Sequence, residues 1–126
     1  MPEIFRKRSP AHTARMIRPK RTSPRERGYS SRWDRLSKAY RREHPFCQWC
    51  EQIGRLRPVA VVDHKIPVVD GGAVFEPQNW WGLCLPHHGI KTEMERYARL
   101  HDQVDRLVIW CDEPSARPAR FAMPTT

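Results

Sequence analysis

The chain has 126 residues, enough for one small domain with flanking segments and too few for a multidomain assembly. Its 23 Lys and Arg against 14 Asp and Glu leave a formal net charge of +9, which points to an acidic partner. Nucleic acid is the first candidate, with an acidic protein or membrane surface as the alternative. No stretch approaches the roughly 18 apolar residues needed to span a bilayer, and the first thirty residues lack the apolar core of a secretory signal. No membrane association is expected. A cytoplasmic setting is the expectation.

Charge is unevenly placed. Residues 1–28 hold nine Lys and Arg against Glu3 and Glu26, whereas the remaining residues are near balance. Pro2, Pro10, Pro19 and Pro24 interrupt this arm, and it has too little apolar surface to offset its ordering entropy. Residues 1–28 are therefore expected to be a disordered basic arm, acting either as a phosphate-tracking segment or as a solubilising tail. The composition is also compatible with a transit peptide, although no amphipathic helix accompanies it.

From Ser30 the pattern becomes helical. Ser30 or Ser31 suits a cap, and Trp33, Leu36 and Tyr40 recur on one face. The stripe reads as core packing. Arg32, Arg35, Lys38, Arg41 and Arg42 cover the rest of the surface, and Pro45 ends the helix no later than His44. Residues 46–54 read as a tight turn carrying Cys47 and Cys50. Val59, Val61 and Val62 then form a β-branched run, expected as a strand that delivers Asp63 and His64. Gly71-Gly72 marks a loop with room for positive φ. Pro77 suits the first turn of a short helix through Asn79 to Leu83. A second helix is expected from His88 through Lys91, Met94, Tyr97 and Leu100, although Gly89 weakens its first turn. Pro114, Pro118 and Pro124 without periodicity suggest a second disordered tail over residues 111–126. The folded domain is expected at residues 29–110.

Two groups of residues carry chemistry. Cys47-x-x-Cys50 and Cys84-x-x-His87 form two knuckles, each presenting two donors three residues apart. Together they make a closed tetrahedral set for structural Zn²⁺, with buried free thiols as the plainer alternative. Three cysteines at metal spacing do not make a disulfide framework, which suits a reducing compartment. Cys111 lies outside the pattern and reads as a free thiol beside Trp110. The second group is Asp63, His64, Asn79 and His88. A carboxylate and an imidazole, Asp63 and His88, suit Mg²⁺, Mn²⁺ or a similar divalent ion. His64 beside them can take a proton from water. An adjacent Asp-His pair is common on any surface; its place between the two knuckles is what singles it out.

The run Asp63-His64-x-x-Pro67, then Gly71-Gly72, Asn79-x-x-x-Leu83-Cys84-x-x-His87-His88 and Lys91-Thr92, resembles the HNH endonuclease family. More narrowly it is similar to zinc-containing HNH proteins encoded by phages near their DNA-packaging genes. The resemblance covers Gly28 to Arg96, including Trp33 and His44-Pro45-Phe46-Cys47. It implies a small α+β domain with a ββα-metal core, a two-stranded hairpin and a helix around one ion, stapled by zinc and preceded by a helix. It implies His64 as general base, Asp63 and His88 as ligands of the catalytic ion, and Cys47, Cys50 and Cys84 as zinc ligands. Asn79 either holds the base loop or ligates the ion. Where the family usually has a fourth zinc cysteine, this chain has His87. A Cys₃His set is the expectation, with a weaker or absent zinc as the alternative.

The function so implied is hydrolysis of DNA phosphodiester bonds to 5′-phosphate and 3′-hydroxyl ends, with phage terminase or portal proteins as further partners. Lys91, Arg35, Lys38, Arg41 and Arg42 are the expected phosphate contacts, which position a duplex without reading its sequence. The rival expectations are a non-catalytic zinc module that binds nucleic acid and a packaging accessory factor.

Overall fold

The computed structural model describes residues 24–122, with side chains from Ser30 onward. Residues 1–23 of the expected arm and 123–126 of the expected tail lie outside the described residues.

Helix α1 spans Pro24–Glu43, starting before the serines at 30 and 31. Proline is pre-organised for a first helical turn, and Arg25, Glu26 and Arg27 propagate a helix well, so the pattern extends backwards. Residues 24–28, expected to be disordered, belong to this helix. From Trp33 on, the helix is part of one compact unit. Trp33, Leu36 and Tyr40 are half-buried, while Arg35, Lys38, Arg41 and Arg42 are exposed. The amide of His44 closes the last turn on the Tyr40 carbonyl at 2.8 Å, and Pro45 prevents another.

Helix α2, Gln48–Gln52, is a single turn capped by Cys47. Strands β1 (Val61–His64) and β2 (Trp80–Leu83) form an antiparallel hairpin with Val61 opposite Leu83 and His64 opposite Trp80. The short helix expected over residues 79–83 is therefore replaced. Pro77 starts only a 3₁₀ turn, Pro77–Asn79, and Trp80-Trp81-Gly82-Leu83 then enters the sheet. Pairing with the β-branched β1 strand and burial of two indoles outweigh the local turn signal. Gln48 stitches α2 to this strand: its Oε1 accepts from the Gly82 amide at 2.6 Å and from the Tyr40 hydroxyl at 2.9 Å.

Helix α3 spans Leu85–Leu100 and packs across the hairpin. It begins directly after Cys84, with Pro86 in its first turn, so His87 and His88 are both helical. Its buried face carries Lys91, Met94, Glu95 and Ala98. Helix α4, Leu107–Asp112, follows, and the chain continues through 3₁₀ turns at Pro114–Ala116 and Ala119–Phe121.

The expectation of an unstructured segment from residue 111 is thus corrected for residues 111–122. Cys111 and Phe121 lie in the core with Trp49, Trp81, Leu83, Met94, Ala98, Leu107 and Trp110. Arg117 is buried over the Trp49 ring at 4.3 Å. Its guanidinium donates to the carbonyls of Trp110 and Cys111 and to Gln52 Oε1. Prolines suppressed the periodic signal here, but isolated aromatic and Arg anchors hold the segment without it. Among the described residues no helix is long and apolar enough to cross a membrane.

Candidate metal centre and candidate active site

The four knuckle residues converge. Cys47 caps α2, and its Sγ accepts from the Cys50 amide at 3.3 Å, so one turn of helix aims both sulfurs the same way. Cys84 precedes α3 and His87 sits in its first turn. All four side chains are buried, and their donor atoms lie within 4.8 Å of one another. Cys50 Sγ is 3.8 Å from Cys84 Sγ, and His87 Nδ1 lies 3.3 to 3.6 Å from the three sulfurs. A tetrahedral zinc with Zn–S near 2.3 Å and Zn–N near 2.0 Å has S···S edges of about 3.8 Å and S···N edges of about 3.5 Å. The donor set fits that ion.

The electrostatics agree with the geometry. Burial, with Arg57, Arg117 and Arg55 nearby, pushes the His87 pKa down, which keeps the imidazole in its neutral, ligating form. Burial beside Cys47 and Cys84 pushes the Cys50 thiol up to about 12. Cys84 moves down despite its burial, because the His87 backbone and the neighbouring thiols hydrogen-bond to it. Three packed thiols cannot all ionise without a compensating cation, and a dication supplies that compensation. The Trp49 ring stacks on His87, with centroids 4.9 Å apart and planes within 1°. Cys111 is buried apart from this set as a free thiol, its pKa raised to about 12 by burial.

The second group gathers where β1, β2 and α3 meet. Asp63 and His64 end β1, Asn79 ends the 3₁₀ turn before β2, and His88 is on α3. Asp63 Oδ2 faces His88 Nε2 at 3.8 Å, and Asp63 Oδ1 accepts from the His64 amide at 2.8 Å. This pair offers two donor atoms; among the described residues, a cluster of three or more metal-ligating side chains forms only at Cys47, Cys50, Cys84 and His87.

His64 Nε2 lies 3.1 Å from the Val74 carbonyl. A carbonyl only accepts, so this contact places a proton on Nε2, and in the neutral imidazole Nδ1 then keeps the lone pair. The Trp33 indole stacks on the imidazole, with centroids 4.5 Å apart and planes at 27°. The helical stripe marks Trp33 only as a packing residue, and nothing in the sequence marks Val74, because a backbone carbonyl leaves no trace in residue type.

Asn79 is buried, and both ends of its side-chain amide meet backbone. Oδ1 accepts from the Ile66 amide at 2.9 Å, and Nδ2 donates to the Ile66 carbonyl at 3.1 Å and the Ala73 carbonyl at 2.9 Å. The same loop needs both its glycines for different reasons. Gly71 sits at φ +95°, whereas a Cβ on Gly72 would lie 1.8 Å from the Ile66 carbonyl oxygen.

Lys91 requires a correction. Expected at a phosphate, it is fully buried, and its ammonium donates to the His64 carbonyl at 2.6 Å and to Glu95, with Asp63 Oδ2 at 3.4 Å. A charge enclosed by three acceptors on its own chain is not available to a ligand. The i, i+4 spacing of Lys91 and Glu95 was the sequence signal for that pairing. Arg35, Lys38, Arg41 and Arg42 do lie on the exposed side of α1. Lys38, Arg41 and Arg42 line a shallow cleft of about 370 Å³ with Pro45 and Val59. Lys38 also pairs with Asp34 at 3.1 Å, an exposed contact of small energetic weight.

No family model, curated protein or solved structure matches the chain.

Proposed function

We propose that this chain is a metal-dependent endonuclease of the HNH type, hydrolysing DNA phosphodiester bonds to 5′-phosphate and 3′-hydroxyl ends. The observation that carries the reading is the His64 contact: Nε2 donates to the Val74 carbonyl, which in the neutral ring leaves Nδ1 as the base, on the residue next to the Asp63 that faces His88. A histidine held this way can take a proton from water through Nδ1 as that water attacks phosphorus. A divalent ion held by Asp63 and His88, Mg²⁺ or Mn²⁺, would offset charge on the phosphate and on the leaving oxygen. Asn79 holds the loop that carries Val74: its Oδ1 and both Nδ2 hydrogens meet backbone groups of that loop, which favours the loop-holding role over metal ligation. Zinc at Cys47, Cys50, Cys84 and His87 is structural in this reading, since four protein donors leave no open position for water. The exposed basic side of α1 offers contacts to backbone phosphates. Phage DNA packaging, with terminase or portal proteins as partners, is the setting that the resemblance implies.

The test is plasmid cleavage. Protein stripped with EDTA and reloaded with zinc is given Mg²⁺ or Mn²⁺, and products are mapped at both ends. His64→Ala should lose on the order of 10²–10⁴ in rate with zinc content and fold intact. Wild-type-like cleavage by that variant refutes the base assignment. Absence of cleavage with every divalent metal refutes the enzyme and leaves a zinc-stapled nucleic-acid-binding module or an accessory factor.

A further inference from the structure

Lys91, Glu95 and Arg99 lie four residues apart on one face of α3, and each meets a charged group of the hairpin or of the next rung. Lys91 takes the His64 carbonyl and lies 3.4 Å from Asp63. Glu95 bonds Lys91 and lies 4.0 Å from Arg99. Arg99 grips Asp70 with both nitrogens, Nε at 3.1 and 3.0 Å and a terminal nitrogen at 2.7 Å. The ladder therefore touches the loop between β1 and β2 at two places, its root at His64 and the turn Val68–Asp70.

Besides its own backbone bonds and the Asn79 clamp at Ile66 and Ala73, the turn is held to α3 by this grip on Asp70. Val68 and Val69 are 39% and 87% exposed, so apolar packing does not anchor the turn, and Gly71 follows at positive φ. Four residues on is Val74, whose carbonyl takes both His64 Nε2 and the Trp80 indole N–H, the latter at 2.8 Å. The Asp70 grip is thus one restraint, with Asn79 on Ala73 and the Trp80 indole on Val74, on the loop that carries the acceptor for His64.

We propose that the Lys91–Glu95–Arg99 ladder of α3 is a positioning device for His64, acting through the Asp70 grip and the loop that presents the Val74 carbonyl. These are positioning residues: none needs to touch substrate. The catalytic consequence rests on the endonuclease reading; the effect on the imidazole does not.

Arg99→Gln in the full zinc-loaded chain opens the exposed end of the ladder and leaves buried Lys91 and Glu95 paired. Asp70→Asn opens the same grip from the loop side. The expected result is loss of the His64 Nε2–H signal in imidazole ¹⁵N–¹H spectra and about ten-fold faster amide exchange across residues 66–74. Cleavage should slow by about ten-fold at unchanged KM for DNA, as for a displaced base. Arg99→Lys, which keeps one of the contacts, should recover part of both effects. A wild-type His64 signal in Arg99→Gln and Asp70→Asn overturns the proposal, whether or not cleavage slows. If the wild type fails to cleave with any divalent metal while the variants lose the Nε2–H signal, the endonuclease reading fails and the positioning role stands.

Discussion

Replacing Asn79 with alanine separates a loop lock from a metal ligand. The substitution removes three buried hydrogen bonds, Oδ1 to the Ile66 amide and Nδ2 to the Ile66 and Ala73 carbonyls. Each is worth about 1 kcal/mol net, and the backbone groups left behind are partly enclosed, so a loss of about 2–4 kcal/mol is expected. For a domain near 100 residues that corresponds to a fall in Tm of roughly 10–25 °C. The assay is thermal unfolding of the zinc-loaded protein by circular dichroism, without any catalytic ion. Amide exchange at Ile66, whose N–H loses its acceptor, should accelerate in parallel. Asn79→Asp is the informative partner: it keeps an acceptor for Ile66 but turns a carboxylate toward two carbonyls, so it should also destabilise. A Tm within about 2 °C of wild type for both variants, with Asn79→Asp binding Mn²⁺ more tightly, would refute the lock and favour a ligand.

The other perturbations follow the same logic. Cys84→Ser, or stripping zinc with a strong chelator, should unfold the domain, because a bound structural zinc contributes on the order of 10 kcal/mol; an unchanged melting curve after verified metal loss would remove the structural role. Truncation after Asp112 deletes Phe121 from the core and Arg117 from Trp49, and loss of a buried Phe alone costs about 3–5 kcal/mol, so Tm should drop sharply; an unaltered Tm would mean that residues 113–122 do not contribute to the fold. The Arg99 guanidinium holds the Asp70 pKa below its ordinary value. A carboxylate with a lowered folded pKa adds stability above its unfolded pKa of about 3.9, and loses it as pH falls from there through the folded value. Acid unfolding of Arg99→Gln should therefore lack this component, with the two proteins converging at the acid end of a Tm-versus-pH series.

Much of the candidate site was legible because its donors are spaced by local geometry. Cys47/Cys50 and Cys84/His87 each fit one turn of chain, so spacing alone assembled the two halves, and the fold brought the halves together. Helical periodicity likewise marked the Trp33, Leu36 and Tyr40 stripe as the half-buried side of α1 and the Arg side as exposed, although the stripe stays outside the main core. Two elements misled. Residues 77–83 carry a turn signal at Pro77 and no alternation, and the strand at Trp80–Leu83 exists because β1 is there to pair with. Residues 111–122 carry prolines and no period, and they are ordered by single anchors reaching distant rings.

Local chemistry thus determined which residues can ligate, cap and periodically pack, since these depend on side-chain type and on separations of three or four along the chain. Tertiary structure decided the roles of the groups between. Lys91 looks in sequence like a free cation for phosphate; burial against the His64 carbonyl and Glu95 makes it internal. His64 looks like any histidine after an aspartate; the Val74 carbonyl, ten residues on, and the Trp33 ring select its tautomer and plane. Backbone acceptors and desolvation have no residue code, so only the assembled hairpin, loop and helix could assign them.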